Sequence, residues 1–343
     1  MASFSIRRYL GLDGSDGIIK HNNLKHPIPD DLLDRLDKDL NDLITHIVGA
    51  KKSDKKAAEI QEPKTAAEFT QHLENFVAEN NLDEFYPPGD PVIAEIAKKA
   101  EELINSPDGV LNSPKEVKER AQHALYRVVL YCDDSWSMIK TKTERRHETQ
   151  ANFCKLVADY ILPLNVQGGL SLRWINDSPA HDGLTNSDEI AQIVKAANYV
   201  HYTPIGKGLK NHVLTPLWTN YLKTQRANGK RPRPLLVIII TDGWPYEESK
   251  TYFKEVILQQ IKELEAEGFR SRVIKYQMNQ IGNEAESEDF IRDLLDTPEI
   301  KKNMRCTSER LESKLSELQE NKAGLQEWFH KLLTPPQKKA SSS

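Results

Sequence analysis

Three short segments of this chain carry the residue types best suited to chemistry. Asp133-Asp134-Ser135-Trp136-Ser137 sets a carboxylate and two hydroxyls at alternate positions. Thr241-Asp242-Gly243 adds a second carboxylate, followed by a glycine that permits a sharp exit from the preceding apolar run. Between them, Tyr202-Thr203-Pro204-Ile205-Gly206-Lys207-Gly208 offers one more hydroxyl on a loop that ends in a helix start. Two carboxylates and three hydroxyls make a hard, oxygen-rich set. Such a set suits a small cation that keeps part of its water shell, so magnesium or manganese is expected before zinc. If the hydroxyls bind directly and the aspartates act mainly through water, the ion keeps much of its charge and one open position for an anionic oxygen from outside. That describes a docking site for a carboxylate. Asp and Ser in one tight turn also read as a helix cap; three separate segments with matching chemistry favour the metal.

The surrounding sequence supplies elements able to bring these segments together. From Tyr126 onward, short and nearly continuous apolar runs alternate with longer amphipathic stretches, as parallel strands buried on both faces alternate with crossover helices. The strand candidates are YRVVLYC, GLSLRWI, PLLVIIIT, SRVIKYQMNQI and MRC. Helices are expected over 144–161, 188–197, 204–222, 250–267 and 287–295, and a last one over 311–333. The pattern predicts an α/β fold with a doubly wound, mostly parallel sheet flanked by helices. In such a sheet ligands sit beyond the carboxyl ends of the strands, and both aspartates directly follow apolar runs.

At these residues the sequence resembles the von Willebrand factor A (vWA) domain and its metal-ion-dependent adhesion site, an Asp-x-Ser-x-Ser run with a distant Thr and a distant Asp-Gly. Position by position, Asp133, Ser135 and Ser137 match the run, Thr203 the threonine and Asp242 the last aspartate. The resemblance spans about residues 125–333 and includes TPIGKGL, similar to the family's TPLGxxL stretch. It is closest to a group of intracellular fungal vWA proteins with CDDSGSM, TDG, QIGN and CTS segments, here CDDSWSM, TDGWP, QIGN and CTS; Trp136 stands where that group has glycine. The resemblance implies a non-catalytic, metal-dependent interaction module. In it Mg2+, or Mn2+, is held by the five matched residues and completed by an exposed Asp or Glu of a partner protein. Trp136 and Trp244 are expected at the rim of that ligand site, whereas Trp174 falls inside a strand candidate and reads equally as core.

Residues 1–64 read as an N-terminal extension with an amphipathic helix over Leu32–Val48 and a polar linker, 65–124 as a helical segment, 125–333 as the vWA-like domain and 334–343 as a disordered tail. Asp90-Pro91 and Ser113-Pro114 each pair a capping side chain with proline at the first helical position. The 343 residues carry 47 Lys and Arg against 51 Asp and Glu, a net charge of −4 that argues against nucleic-acid binding. Three cysteines without a C-x-x-C pair fit a reducing compartment, and no apolar run is long enough to cross a membrane. A cytoplasmic protein is expected, with the nucleus as the alternative. Two other functions stay open: a scaffold with a structural metal site, and a metal-dependent hydrolase. The hydrolase would draw on Ser135 and His147, but the chain has no G-x-S-x-G elbow.

Overall fold

A computed structural model describes residues 62–106, 113–139, 145–176, 179–243, 245–269, 273–282 and 285–306, with Leu311 and Leu315. The expected N-terminal helix, most of its linker, Trp244, nearly all of the last helix and the tail lie outside the described residues.

Three helices come first: α1 (Ala66–Asn80), α2 (Pro91–Ile104) and α3 (Pro114–Ala124). Their starts are written in the sequence. Thr65 and Ser113 form capping boxes with Glu68 and Glu116, and Asp90 accepts the Val92 N–H ahead of Pro91. Strand β1 (Arg127–Cys132) follows, then a 3-10 turn (Trp136–Ile139), α4 (Arg146–Ile161), β2 (Leu170–Trp174), β3 (His181–Leu184) and α5 (Ser187–Lys195). The chain continues through α6 (Ile205–Gly208), a π-helical stretch (Leu209–Asn220) and α7 (Tyr221–Ala227) into β4 (Leu235–Thr241). It closes with α8 (Tyr252–Ala266), β5 (Ile274–Gln280), α9 (Ala285–Leu295), α10 (Pro298–Lys301) and β6 (Met304–Cys306).

The six strands form one sheet in the order β3-β2-β1-β4-β5-β6, parallel throughout except for β3, which runs antiparallel to β2. The fold is therefore α/β, a mostly parallel sheet flanked by helices. Every residue of β4 is buried, which matches its unbroken LLVIIIT run in the middle of the sheet. Strand order reverses between β1 and β4, where adjoining connections lead to opposite sides and leave a crevice at the carboxyl ends. Cys132 pairs with Ile240 at the last register step, so Asp133 and the Thr241-Asp242 pair leave the sheet side by side in that crevice.

Two features differ from the sequence expectation. Strand β3 reads His-Asp-Gly-Leu, too polar to register as a strand; it is held at the edge by Arg173, which donates to both Asp182 carboxylate oxygens at 2.8 Å and to the His181 carbonyl at 2.7 Å. The helix expected over 204–222 extends to Ala227 and is π-wound in its middle, where Pro216 lacks the N–H that a regular α-helical ladder needs.

Helices α1 to α3 share the core with the sheet. The Tyr86 hydroxyl donates to the Leu125 carbonyl, Phe85 stacks on Phe269 at 5.6 Å, and the Arg233 guanidinium lies 4.8 Å over the Tyr86 ring. Leu125, Arg233 and Phe269 shortly precede β1, β4 and β5, so this segment covers the amino-terminal edge of the sheet and leaves the carboxyl edge to the candidate site. Among the described residues no helix is long and apolar enough to cross a membrane.

Candidate metal centre

Asp133 is the first residue beyond β1 and is fully buried. Its N–H donates to the Ile240 carbonyl and to Gln150 Oε1, both at 3.0 Å, while Gln150 Nε2 donates to the Asp133 carbonyl at 2.8 Å. The Gln150 side chain, itself fully buried on α4, thus clasps the peptide groups of Asp133 from both sides. The carboxylate faces the turn: Oδ1 accepts the Ser135 N–H at 2.8 Å, and Oδ2 accepts the Thr241 hydroxyl at 2.6 Å. Burial, and next the charge of Asp242, push the Asp133 carboxyl up to about 7, against the pull of its hydrogen bonds to Ser135 and Thr241.

Asp242 follows β4 and is also buried. Its Oδ1 accepts the Ser137 hydroxyl at 2.7 Å, and Ser137 Oγ lies 2.9 Å from Ser135 Oγ, so a chain of oxygens links the β1 turn to the β4 end across 105 residues of sequence. Its Oδ2 accepts from the Arg146 guanidinium at 2.7 Å, in an ion pair whose side chains are 8 % and 1 % exposed. Ser287, from α9, donates its hydroxyl to the Asp242 carbonyl at 3.2 Å.

Thr203 comes to the same place by a different tether. The Val200 N–H donates to the Asp134 carbonyl at 2.9 Å, the Trp136 N–H to the His201 carbonyl at 3.1 Å, and Asn176 bridges the Asp134 carboxylate and the Tyr202 carbonyl. These bonds seat the 200–203 loop against the Asp133 turn. From the other side the Tyr246 N–H donates to the Thr203 carbonyl at 3.1 Å. Thr203 Oγ1 lies 3.6 Å from where a Cβ on Gly243 would stand, an ordinary van der Waals contact, and Gly243 does not adopt a positive φ. The glycine that permits a sharp exit from β4 is thus not required there by backbone conformation or by space.

The glycines of TPIGKGL are required. A Cβ on Gly206 would meet the Phe253 backbone at 2.8 Å, and one on Gly208 would collide with the Ile175 carbonyl and the Tyr131 hydroxyl. Gly206 lets α6 approach the start of α8, and Gly208 lets it approach the ends of β1 and β2. The Glu248 carboxylate then accepts the Gly206 and Lys207 N–H groups at 2.7 and 3.0 Å, satisfying donors that the start of α6 leaves open.

All five residues singled out by the sequence therefore lie at one place. The large apolar side chains that stay exposed among the described residues are Trp136 (54 %), Ile139 (43 %), Tyr202 (50 %) and Tyr246 (50 %), and each belongs to one of the loops of this site. Tyr202 and Tyr246 face each other with ring centroids 4.9 Å apart. Trp136 is thus exposed as expected, Trp174 is buried with its Nε1 donating to the Pro179 carbonyl, and the two tyrosines were not anticipated. Arg146 and Gln150 were missed as well. Nothing local marked them, since α4 mixes polar and apolar residues and these two resemble its solvated polar positions. The Ser135 hydroxyl pairs with Ser137, and His147 packs on Tyr199 at 5.5 Å.

The donor set fits a hard divalent cation. Ser137 gives its proton to Asp242 and keeps its lone pairs, Thr203 adds a neutral oxygen, and Asp133 holds both carboxylate oxygens in hydrogen bonds that place it behind the serines. Among the described residues no group of three or more His, Cys, Asp or Glu side chains is placed to hold a metal, so two carboxylates and neutral hydroxyls are the whole resource of this set. No family model matches the chain, and none of the curated proteins matches it.

Proposed function

We propose that this chain is a vWA-domain protein that works as a non-catalytic interaction module. Its adhesion site consists of Asp133, Ser135, Ser137, Thr203 and Asp242, holds Mg2+ or alternatively Mn2+, and docks an exposed Asp or Glu of a partner protein. The observation that carries this reading is the oxygen chain Ser135–Ser137–Asp242, closed by short contacts between two strand ends and flanked by the Thr203 hydroxyl. A bound ion supplies an electrophilic centre for a carboxylate oxygen. The protein's own groups do the rest: Ser135 and Ser137 present neutral oxygens, Gln150 and Thr241 fix Asp133, and Asn176 fixes the loop that carries Thr203. Exposed Trp136, Tyr202 and Tyr246 supply apolar surface beside the acid's docking point, where aromatic side chains contribute most to recognition. We place this protein in the cytoplasm, with the nucleus as the alternative, on its three cysteines without a C-x-x-C pair.

One observation favours a second reading, the scaffold with a structural or vestigial site. The Arg146–Asp242 pair already offsets one carboxylate without any metal. Titration calorimetry of the full chain with MgCl2 decides between them. The interaction-module reading expects a modest, exchangeable site, weakened by Ser137→Ala and Thr203→Ala with the fold intact. If Mg2+ and Mn2+ produce no heat and no change in thermal unfolding, the site is vestigial and the scaffold reading takes its place.

A further inference from the structure

We propose that Arg146 is the resident counter-cation of this site: it occupies Asp242 when no metal is bound, and a divalent ion binds against its charge. The proposal rests on the metal-site reading above and concerns a residue outside the matched motif. Arg146 stands at the first residue of α4, where the positive end of the helix macrodipole disfavours a cation, and the N-cap residue Arg145 makes no side-chain cap bond there. It is buried there nonetheless. A buried guanidinium at the wrong end of a helix needs a compensating charge, and the 2.7 Å contact with Asp242 Oδ2 provides one.

The charges then set the behaviour of the site. Arg146 already offsets the charge of Asp242, so a divalent ion that arrives at this carboxylate meets a positive charge beside it. Without Arg146 the loaded site would carry one positive charge fewer. Arg146 thus weakens the hold on the ion and leaves the loaded site more positive, which favours an incoming carboxylate. Metal held loosely alone and more firmly once an acid docks is the linkage expected of a site where ion and partner bind as a pair.

The test uses Mn2+ alone as the probe, with the full chain and its Arg146→Gln, Arg146→Met and Arg146→Lys variants. Affinity is read by calorimetry, and folding in EDTA by circular dichroism. The neutral variants should bind Mn2+ at least about tenfold tighter than the original, while Arg146→Lys, which keeps the charge, should stay within about threefold. A gain in affinity is not what a merely damaged structure gives. If the neutral variants fail to fold in EDTA, Mn2+ should restore their folding by taking the place of the missing cation. Neutral variants that bind no tighter and are not rescued overturn the proposal, with the metal reading intact if the original binds Mn2+. If neither the original nor any variant binds Mn2+, both readings fail.

Discussion

Replacing Asp242 with alanine should unfold this protein more readily even with no metal present. Asp242 is the partner of a buried guanidinium, 2.7 Å away, and both side chains are almost wholly excluded from water. Removing one member of such a pair costs about 3–5 kcal/mol, because the remaining charge stays buried without its compensation. At roughly 2–4 °C per kcal/mol for a domain of this size, the midpoint should fall by about 10 °C. The loss of the Ser137 hydrogen bond to Asp242 Oδ1 adds to this. The assay is urea unfolding in EDTA, so that no bound ion contributes, on the original, Asp242→Ala, Arg146→Met and the double variant. The double variant should recover about 1–3 kcal/mol relative to the sum of the single changes, since it removes both charges together. An Asp242→Ala variant that loses less than about 1 kcal/mol, or a double variant no better than additive, would refute the ion pair as a major contributor. The result also bears on any metal-binding test at this position, because loss of binding in Asp242→Ala mixes loss of a ligand with loss of stability.

Thr203→Ala should behave in the opposite way, weakening Mg2+ binding severalfold while leaving unfolding in EDTA within about 1 kcal/mol, as it removes a neutral hydroxyl and little core volume; calorimetry and urea titration read the two effects separately. Gln150→Leu should cost about 1–3 kcal/mol by leaving the Asp133 carbonyl without the donor that clasps it, and should weaken Mg2+ binding as well. Gly208→Ala should destabilise by about 3 kcal/mol or more, because the added methyl meets the Ile175 backbone carbonyl, which cannot move aside as a flexible side chain could; unfolding midpoints measure it. His72, half-buried beside Lys118 and hydrogen-bonded to Gln122, has its pKa lowered to about 4, chiefly by burial. A folded-state pKa below the usual 6.5 means that the unfolded chain takes up the proton first. Stability should therefore fall as pH drops from about 6.5 to 4, by about 1–2 kcal/mol after allowing for partial exposure, and His72→Leu should flatten that acid limb relative to the original.

Those parts of the protein that depend on local pattern were legible in the sequence. Apolar, β-branched runs such as LLVIIIT read as strands buried on both faces, and Ser113-Pro114 reads as a helix start, because side-chain branching and capping act within a few residues. The aspartates, serines and threonine were legible for the same reason, since each occupies a short segment at the end of a run. Strand β3 was not legible, because its place comes from an edge pairing with β2 and from Arg173 rather than from any apolar character of His181–Leu184. Arg146, Gln150, Tyr202 and Tyr246 were equally silent: an arginine on a helix reads as solvated until folding buries it against a carboxylate 96 residues away. Only the folded structure shows that one of the carboxylates already holds a cation of the protein's own, and that Tyr202 and Tyr246 join Trp136 in facing water. These are consequences of strand order and close approach, which bring together charges and surfaces that no local pattern connects.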